Sequence, residues 1–269
     1  GSLLMYPIYK VNDWNLASIT YLTVILLIMT AIIFFAVLYK LLNTYKLISI
    51  SALLALLLSY GSVELITIVP NISHSVLPLL FLSLIAIFIA FDSFDNIKGE
   101  IGVLILIVLS LFTGFGIFTF LSYIVVVTVK YLGKIGKTHN KTFIEKYKLF
   151  FIYASLAFMI IEFFTNYSFS RAEGCISTAL LNISDIVVYI GAVSSIPFGG
   201  SALAKMAIPI GLTIFFLELV LSIVSLYKVF RHDDRISFLA LLLLLVSLGF
   251  IFNVALGRHC LGLDSAYAS

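Results

Sequence analysis

The chain of 269 residues is 62% apolar and only 11% charged, with a formal net charge of +3 and a mean hydropathy of +1.19. Soluble domains carry about a quarter charged residues, so a soluble globular protein is excluded. A conventional nucleic-acid binder is not indicated either, because a small positive excess on so apolar a chain reflects the bias of membrane proteins toward cytoplasmic Lys and Arg.

The composition points to an integral membrane protein, with the lipid bilayer as its solvent and the cell membrane as its expected location. Gly1-Ser2-Leu3-Leu4 before Met5 reads as a cloning remnant. Tyr6, Tyr9 and Trp14 then sit among Lys10, Asn12 and Asp13, an arrangement suited to the headgroup level.

A helix needs about 20 mostly apolar residues to cross the hydrocarbon core. Runs of that kind follow in order: Leu16 to Tyr39, Leu47 to Val69, Ser75 to Ala90, Ile101 to Val129, Phe150 to Asn166, Met206 to Tyr227 and Ile236 to Ala255. An eighth, Ile176 to Phe198, is long enough but carries Asn182, Ser184 and Asp185 and breaks up in Gly191, Ser194, Ser195, Pro197, Gly199 and Gly200.

Strands of a membrane barrel would alternate apolar and polar residues, and Leu239 to Val246 does not. The expected fold is therefore all-α: a polytopic transmembrane helix bundle with seven or eight spans, Ile176 to Phe198 being re-entrant or broken. No connection exceeds about 20 residues, well below the ~50 of an independent domain, so residues 1–269 read as a single integral membrane domain.

Lys130, Lys134, Lys137, Lys141, Lys146 and Lys148 stand against Glu145 alone, and the Lys130 to Lys148 loop is expected in the cytoplasm. The connection holding Lys228, Arg231 and Arg235 belongs on the same side by the same rule. Three candidate runs lie between the two loops, so one of them should fail to cross, and Ile176 to Phe198 is the natural one. In that arrangement Cys175 and Cys260 share the outer face, where a disulfide is feasible; a full crossing would separate them.

Acids buried in apolar runs are costly, about 2.5 to 3.5 kcal/mol at a helix centre, and usually face the bundle interior or a water-filled cavity. Glu64, Glu162, Asp185 and Glu218 are such acids. Thr178, Asn182, Asp185 and Tyr189 share one helix face by their spacing of four, three and four; Ser155, Glu162, Asn166 and Ser170 form a second stripe; Gly211, Glu218, Ser222 and Ser225 form a third. Turned toward one another, these faces would make an acidic, partly hydrated seam, with Glu64 either joining it or standing apart. The alternative is that each acid is neutral or paired locally and only fixes helix packing. Lys205 or Arg171 is a potential partner of Asp185.

Constellations for catalysis are sparse. The four histidines, His74, His139, His232 and His259, are scattered, and no zinc, haem, P-loop or nucleophile-elbow pattern occurs; no cofactor or metal is expected. Gly114-Phe115-Gly116 lies inside an apolar run, where it permits bending or close helix packing. Asp92-Ser93-Phe94-Asp95-Asn96 resembles one acidic metal-diphosphate cluster of membrane prenyl-transferring enzymes, but it stands without a second and suits a solvated turn. Arg258-His259-Cys260 with Asp264 is a further polar cluster, read first as a membrane-surface tail. Glutamine is absent while nine asparagines remain, a mixed sign of a thermophilic source.

The leading expectation is a multi-pass transporter or channel moving a small cation, a proton or a proton-coupled solute along Glu162, Asp185, Glu218, Asn182, Asn166 and Glu64. A different class is a non-catalytic membrane subunit of a secretion, uptake or respiratory assembly, with complex partners or a second copy docking on its loops. A third is an intramembrane enzyme acting on a lipid-linked substrate.

Overall fold

A computed structural model of the chain describes residues 10, 16–41, 76–91, 97–113, 116–135, 183–195, 204–232 and 234–258, with isolated positions 150, 153, 154, 157, 158, 161 and 165. Seven helices lie among them: α1 (Leu16–Leu41), α2 (Leu77–Ala90), α3 (Ile97–Leu111), α4 (Gly116–Ile135), α5 (Ile183–Ser195), α6 (Ala204–His232) and α7 (Arg235–Arg258). Four of these, α1, α4, α6 and α7, are long and apolar enough to cross a membrane; α2, α3 and α5 are shorter apolar helices.

The burial pattern is that of a protein dissolved in lipid. Large apolar side chains face outward, with Ile32 62%, Phe216 63% and Ile223 68% exposed, whereas small polar ones are tucked inside. On α1 the buried stripe is Thr23, Thr30 and Val37, seven residues apart, and the Thr30 hydroxyl donates to the Leu26 carbonyl at 2.8 Å. Hydroxyls returned to their own helix in this way are not stranded in hydrocarbon. The main core joins Ile85 and Ile89 of α2, Ile107 of α3, Tyr123 of α4 and Leu241 and Leu242 of α7.

Helix directions follow from named contacts. Glu218 of α6 meets Ser247 of α7 and Phe215 meets Phe252 at 5.5 Å between ring centres, so α6 and α7 form an antiparallel hairpin. Phe118 of α4 packs on Gly249 while Lys130 lies 5.6 Å from the Phe238 ring centre, which sets α4 antiparallel to α7. A Cβ on Gly133 would fall 2.1 Å from the Phe230 carbonyl oxygen, so α4 ends against the α6–α7 connection.

The run Ile101 to Val129, long enough for a single span, is two helices. It reverses at Phe112 and Thr113, and Glu100 of α3 lies within electrostatic reach of Tyr123 of α4, a proximity that 23 residues of straight helix, about 35 Å long, would forbid. The reversal satisfies its own polar groups: the Thr113 amide donates to the Ser110 carbonyl at 2.9 Å, the Thr113 hydroxyl donates to that same oxygen, and the Ser110 hydroxyl donates to the Ile107 carbonyl at 2.7 Å. Gly116 is required there, since a Cβ would sit 1.6 Å from the Ser110 carbonyl oxygen.

One end of the bundle collects the basic residues. Lys40 at the end of α1 lies 5.8 Å from the ring centre of Phe91, just beyond α2, and α3 starts a few residues later, beside α4. Among the basic residues of the seven described helices, Lys40, Lys98, Lys130, Lys134, Lys228, Arg231 and Arg235 thus lie toward this end, against Lys205 and Arg258 toward the other. The Lys130 and Lys228 to Arg235 regions share a side, as the sequence predicts. The chain leaves α4 at this end and enters α6 at the opposite one. Along the chain between them, α5 has 13 residues, about 20 Å of helix against ~30 Å of hydrocarbon. At position 153 the Tyr hydroxyl shares a hydrogen bond with Thr128 of α4.

The α6–α7 turn is closed by Asp234, the N-cap of α7. Its carboxylate accepts from the Ser237 amide at 3.1 Å, the Ser237 hydroxyl at 2.6 Å and the Ile236 amide at 3.3 Å. Partial burial pushes this carboxyl up, but those hydrogen bonds and the nearby Lys228 ammonium outweigh it and hold the group below its ordinary 3.8. A depressed folded-state pKa contributes stability that is complete above the ordinary value and is lost as pH falls through the folded one.

Asp234→Ala should therefore cost about 1 kcal/mol at neutral pH, with the wild-type and variant stabilities converging in acid; denaturant unfolding in detergent across pH measures this. Gly211→Ala should cost about 1–3 kcal/mol, because its Cβ would sit 1.7 Å from the Gly191 carbonyl oxygen and backbone cannot yield as a side chain does. Gly102→Ala, whose Cβ would meet only the Phe88 ring at 3.1 Å, should be close to neutral in the same assay.

Candidate functional site

The third predicted stripe lies on α6. Gly211, Ser222 and Ser225 are buried and Glu218 is half-buried, so this face turns into the protein while Phe216, Leu217, Val220 and Leu221 do not. Pro209 sits in the second turn of α6, where it removes one backbone donor; the Thr213 hydroxyl donates to the Pro209 carbonyl at 2.9 Å. Two residues on, Gly211 meets Gly191 of α5 backbone to backbone, the close approach that small residues allow in membranes.

Glu218 stands midway along α6, fourteen residues from either end, and its carboxylate faces α7. The Ser247 hydroxyl lies 3.2 Å from Oε2 and 3.4 Å from Oε1, and Ser247 is itself central in α7. The carboxyl–hydroxyl pair is therefore at mid-height in the bundle. The Ser222 hydroxyl donates to the Glu218 carbonyl at 2.7 Å, which occupies the nearest other hydroxyl on α6. One turn away the Phe215–Phe252 pair closes the α6–α7 seam toward the end opposite the basic one.

Of the other predicted seam residues, Asp185 lies exposed in the first turn of α5, and Tyr189, one turn on, is buried against Ile251, Val254 and Ala255 of α7. The structure joins Glu218 to Ser247 rather than to Asp185, which makes no hydrogen bond or ion pair among the described residues. Toward the end of α5 the Ser194 hydroxyl is buried without a hydrogen-bond partner among the described residues. Glu64, Glu162, Asn166, Asn182, Cys175, Cys260, Asp92, Asp95 and His259 lie outside the described residues. Among the described residues no three His, Cys, Asp or Glu side chains converge.

Ser247 is the site residue that the sequence reading passes over. Its signal is a lone hydroxyl between Phe238 and Phe252, in a run otherwise built of Leu, Val, Ile, Phe and small residues.

Comparison with protein-family models, curated proteins and solved structures finds no match to this chain. The class is set by the fold alone: a helical protein whose long apolar helices suit a membrane.

A thermodynamic cycle on Glu218→Ala and Ser247→Ala should give a coupling of about 0.6 kcal/mol, and no more than about 1.7, the range of interhelical hydrogen bonds in membranes. Unfolding in mixed micelles measures it; additive single effects would mean that the two side chains do not interact.

Proposed function

We propose that this protein is a multi-pass membrane transporter or channel for a proton or small monovalent cation, with Glu218 at the centre of its pathway. The observation that carries the reading is a carboxyl group held at mid-height between two apolar helices with a hydroxyl as its described partner. Such a group is expensive in hydrocarbon and is usually retained because it handles an ion. The inward-turned Ser222 and Ser225 extend the polar face from Glu218 toward the basic end. Asp185 is kept as a second acid on the pathway, near the crossing of α5 with α6, and Glu162, Asn166, Asn182 and Glu64 complete the proposed set by their sequence spacing.

In this reading the end carrying Lys130, Lys228, Arg231 and Arg235 faces the cytoplasm, because the Lys and Arg bias of short loops sets orientation. The segment that fails to cross is assigned to Ile176 to Phe198, on the strength of the 13 residues of α5 and of α4 ending and α6 beginning at opposite ends.

The test is flux through the purified protein in sealed liposomes under imposed proton, sodium and potassium gradients. Wild type should conduct above empty liposomes, Glu218→Gln should fall to the empty-liposome level, and Asp185→Asn should be reduced. Absence of flux under every gradient would overturn transport and favour a subunit of a larger membrane assembly, to be sought by co-purification.

A further inference from the structure

We infer that the species bound at mid-bilayer is a proton, carried by Glu218 with Ser247 as a partner in both of its states; this rests on the transport reading above. The argument concerns the chemistry of the partner. A Lys or Arg beside a buried carboxylate would lock it in the ionised form, and a carbonyl would lock it in the neutral form. A serine hydroxyl both donates and accepts. At the observed 3.2 and 3.4 Å, Ser247 donates to the carboxylate when Glu218 is ionised. When Glu218 is neutral, the carboxyl O–H donates to Ser247 Oγ instead, by rotation of one hydroxyl and with no movement of either helix.

Among the described residues, the surroundings leave that exchange undisturbed. Between Ile236 and Leu256, α7 has no ionisable residue. From α5 come Asp185 and Tyr189. On α4 the ionisable groups are Tyr123, Lys130, Tyr131 and Lys134, with Lys130 drawn over the Phe238 ring at the basic end. On α6 itself, Tyr227, Lys228, Arg231 and His232 lie two or more turns toward that end, and Lys205 lies in the first turn at the other. No cation therefore sits in the middle turns of α6 or α7.

The step is a simple proton transfer. Water on the side of higher proton activity gives a proton to a Glu218 oxygen, forming the carboxyl O–H and leaving hydroxide, or neutral water where hydronium is the donor. The same O–H bond breaks when the proton passes to water on the other side, which restores the carboxylate.

Two measurements on the full protein in liposomes test this. In infrared titration, wild type should show the C=O stretch of a neutral carboxyl that disappears as pH rises. Glu218→Gln should lack that band. Ser247→Ala should change its frequency while moving its midpoint by no more than about half a pH unit, the equivalent of one interhelical hydrogen bond, and Ser247→Thr should recover the wild-type frequency. In flux assays the lumen should acidify down a proton gradient in choline-only buffer, and Glu218→Gln should abolish this. Sodium or potassium flux without acidification would overturn the proton assignment while leaving the transport reading intact. A Glu218-dependent titrating band with no flux of any ion would support proton binding and overturn the transport reading. A titrating band that survives Glu218→Gln would overturn the role of Glu218, and a correctly folded variant, judged by helicity and thermal unfolding, is the condition of each comparison.

Discussion

Hydrocarbon offers nothing to an unpaired amide or carbonyl, and each one left bare costs several kcal/mol. Most irregular points described in this bundle answer that constraint, the buried Ser194 hydroxyl being the exception among the described residues. The α3–α4 reversal is tied off by Ser110 and Thr113, the start of α7 by Asp234 and Ser237, and the hydroxyls of Thr30, Ser83 and Thr128 return to carbonyls of their own helices. The backbone contacts at Gly191, Gly211 and Gly133 belong to the same economy. Once each helix has satisfied itself, close packing is what remains to hold helices together.

The membrane class and most helix positions were legible in the residues, because hydropathy over twenty positions is a coarse and robust signal. The side shared by the two basic regions was legible too, from charge alone. The reversal between α3 and α4 was not. Leu111, Phe112, Phe115 and Ile117 keep the run apolar through the turn, so hydropathy passes smoothly across it; only Thr113 and the glycines at 114 and 116 mark the break, and these equally suit a bent continuous helix. A search for acids finds Glu218 directly, whereas Ser247 becomes visible only when α7 is laid against α6, because a single serine in a leucine-rich helix carries no periodic pattern.

The candidate site is correspondingly spare. A mid-height carboxyl with one hydroxyl partner lets protonation change without breaking a structural ion pair, so the helices around it need not be rebuilt as its charge changes. The Gly191–Gly211 contact and Pro209 lie two turns from Glu218 or farther along α6, where small side chains and a missing backbone donor leave the α5–α6 contact governed by van der Waals fit.

The hairpin of α3 and α4 also bears on how the chain enters its membrane. With 15 residues, α3 amounts to about 22 Å of helix, short of a comfortable span, and it opens with Lys98 and Glu100. The Ser110 and Thr113 hydroxyls are satisfied locally at the end of α3, and the closed turn adds longer contacts of 3.4 Å from the Ser110 hydroxyl to the Gly116 carbonyl and from the Gly116 amide to the Thr113 carbonyl. A helix that short partitions into hydrocarbon more favourably with α4 packed against it than alone, so the two favour entering lipid together as a hairpin.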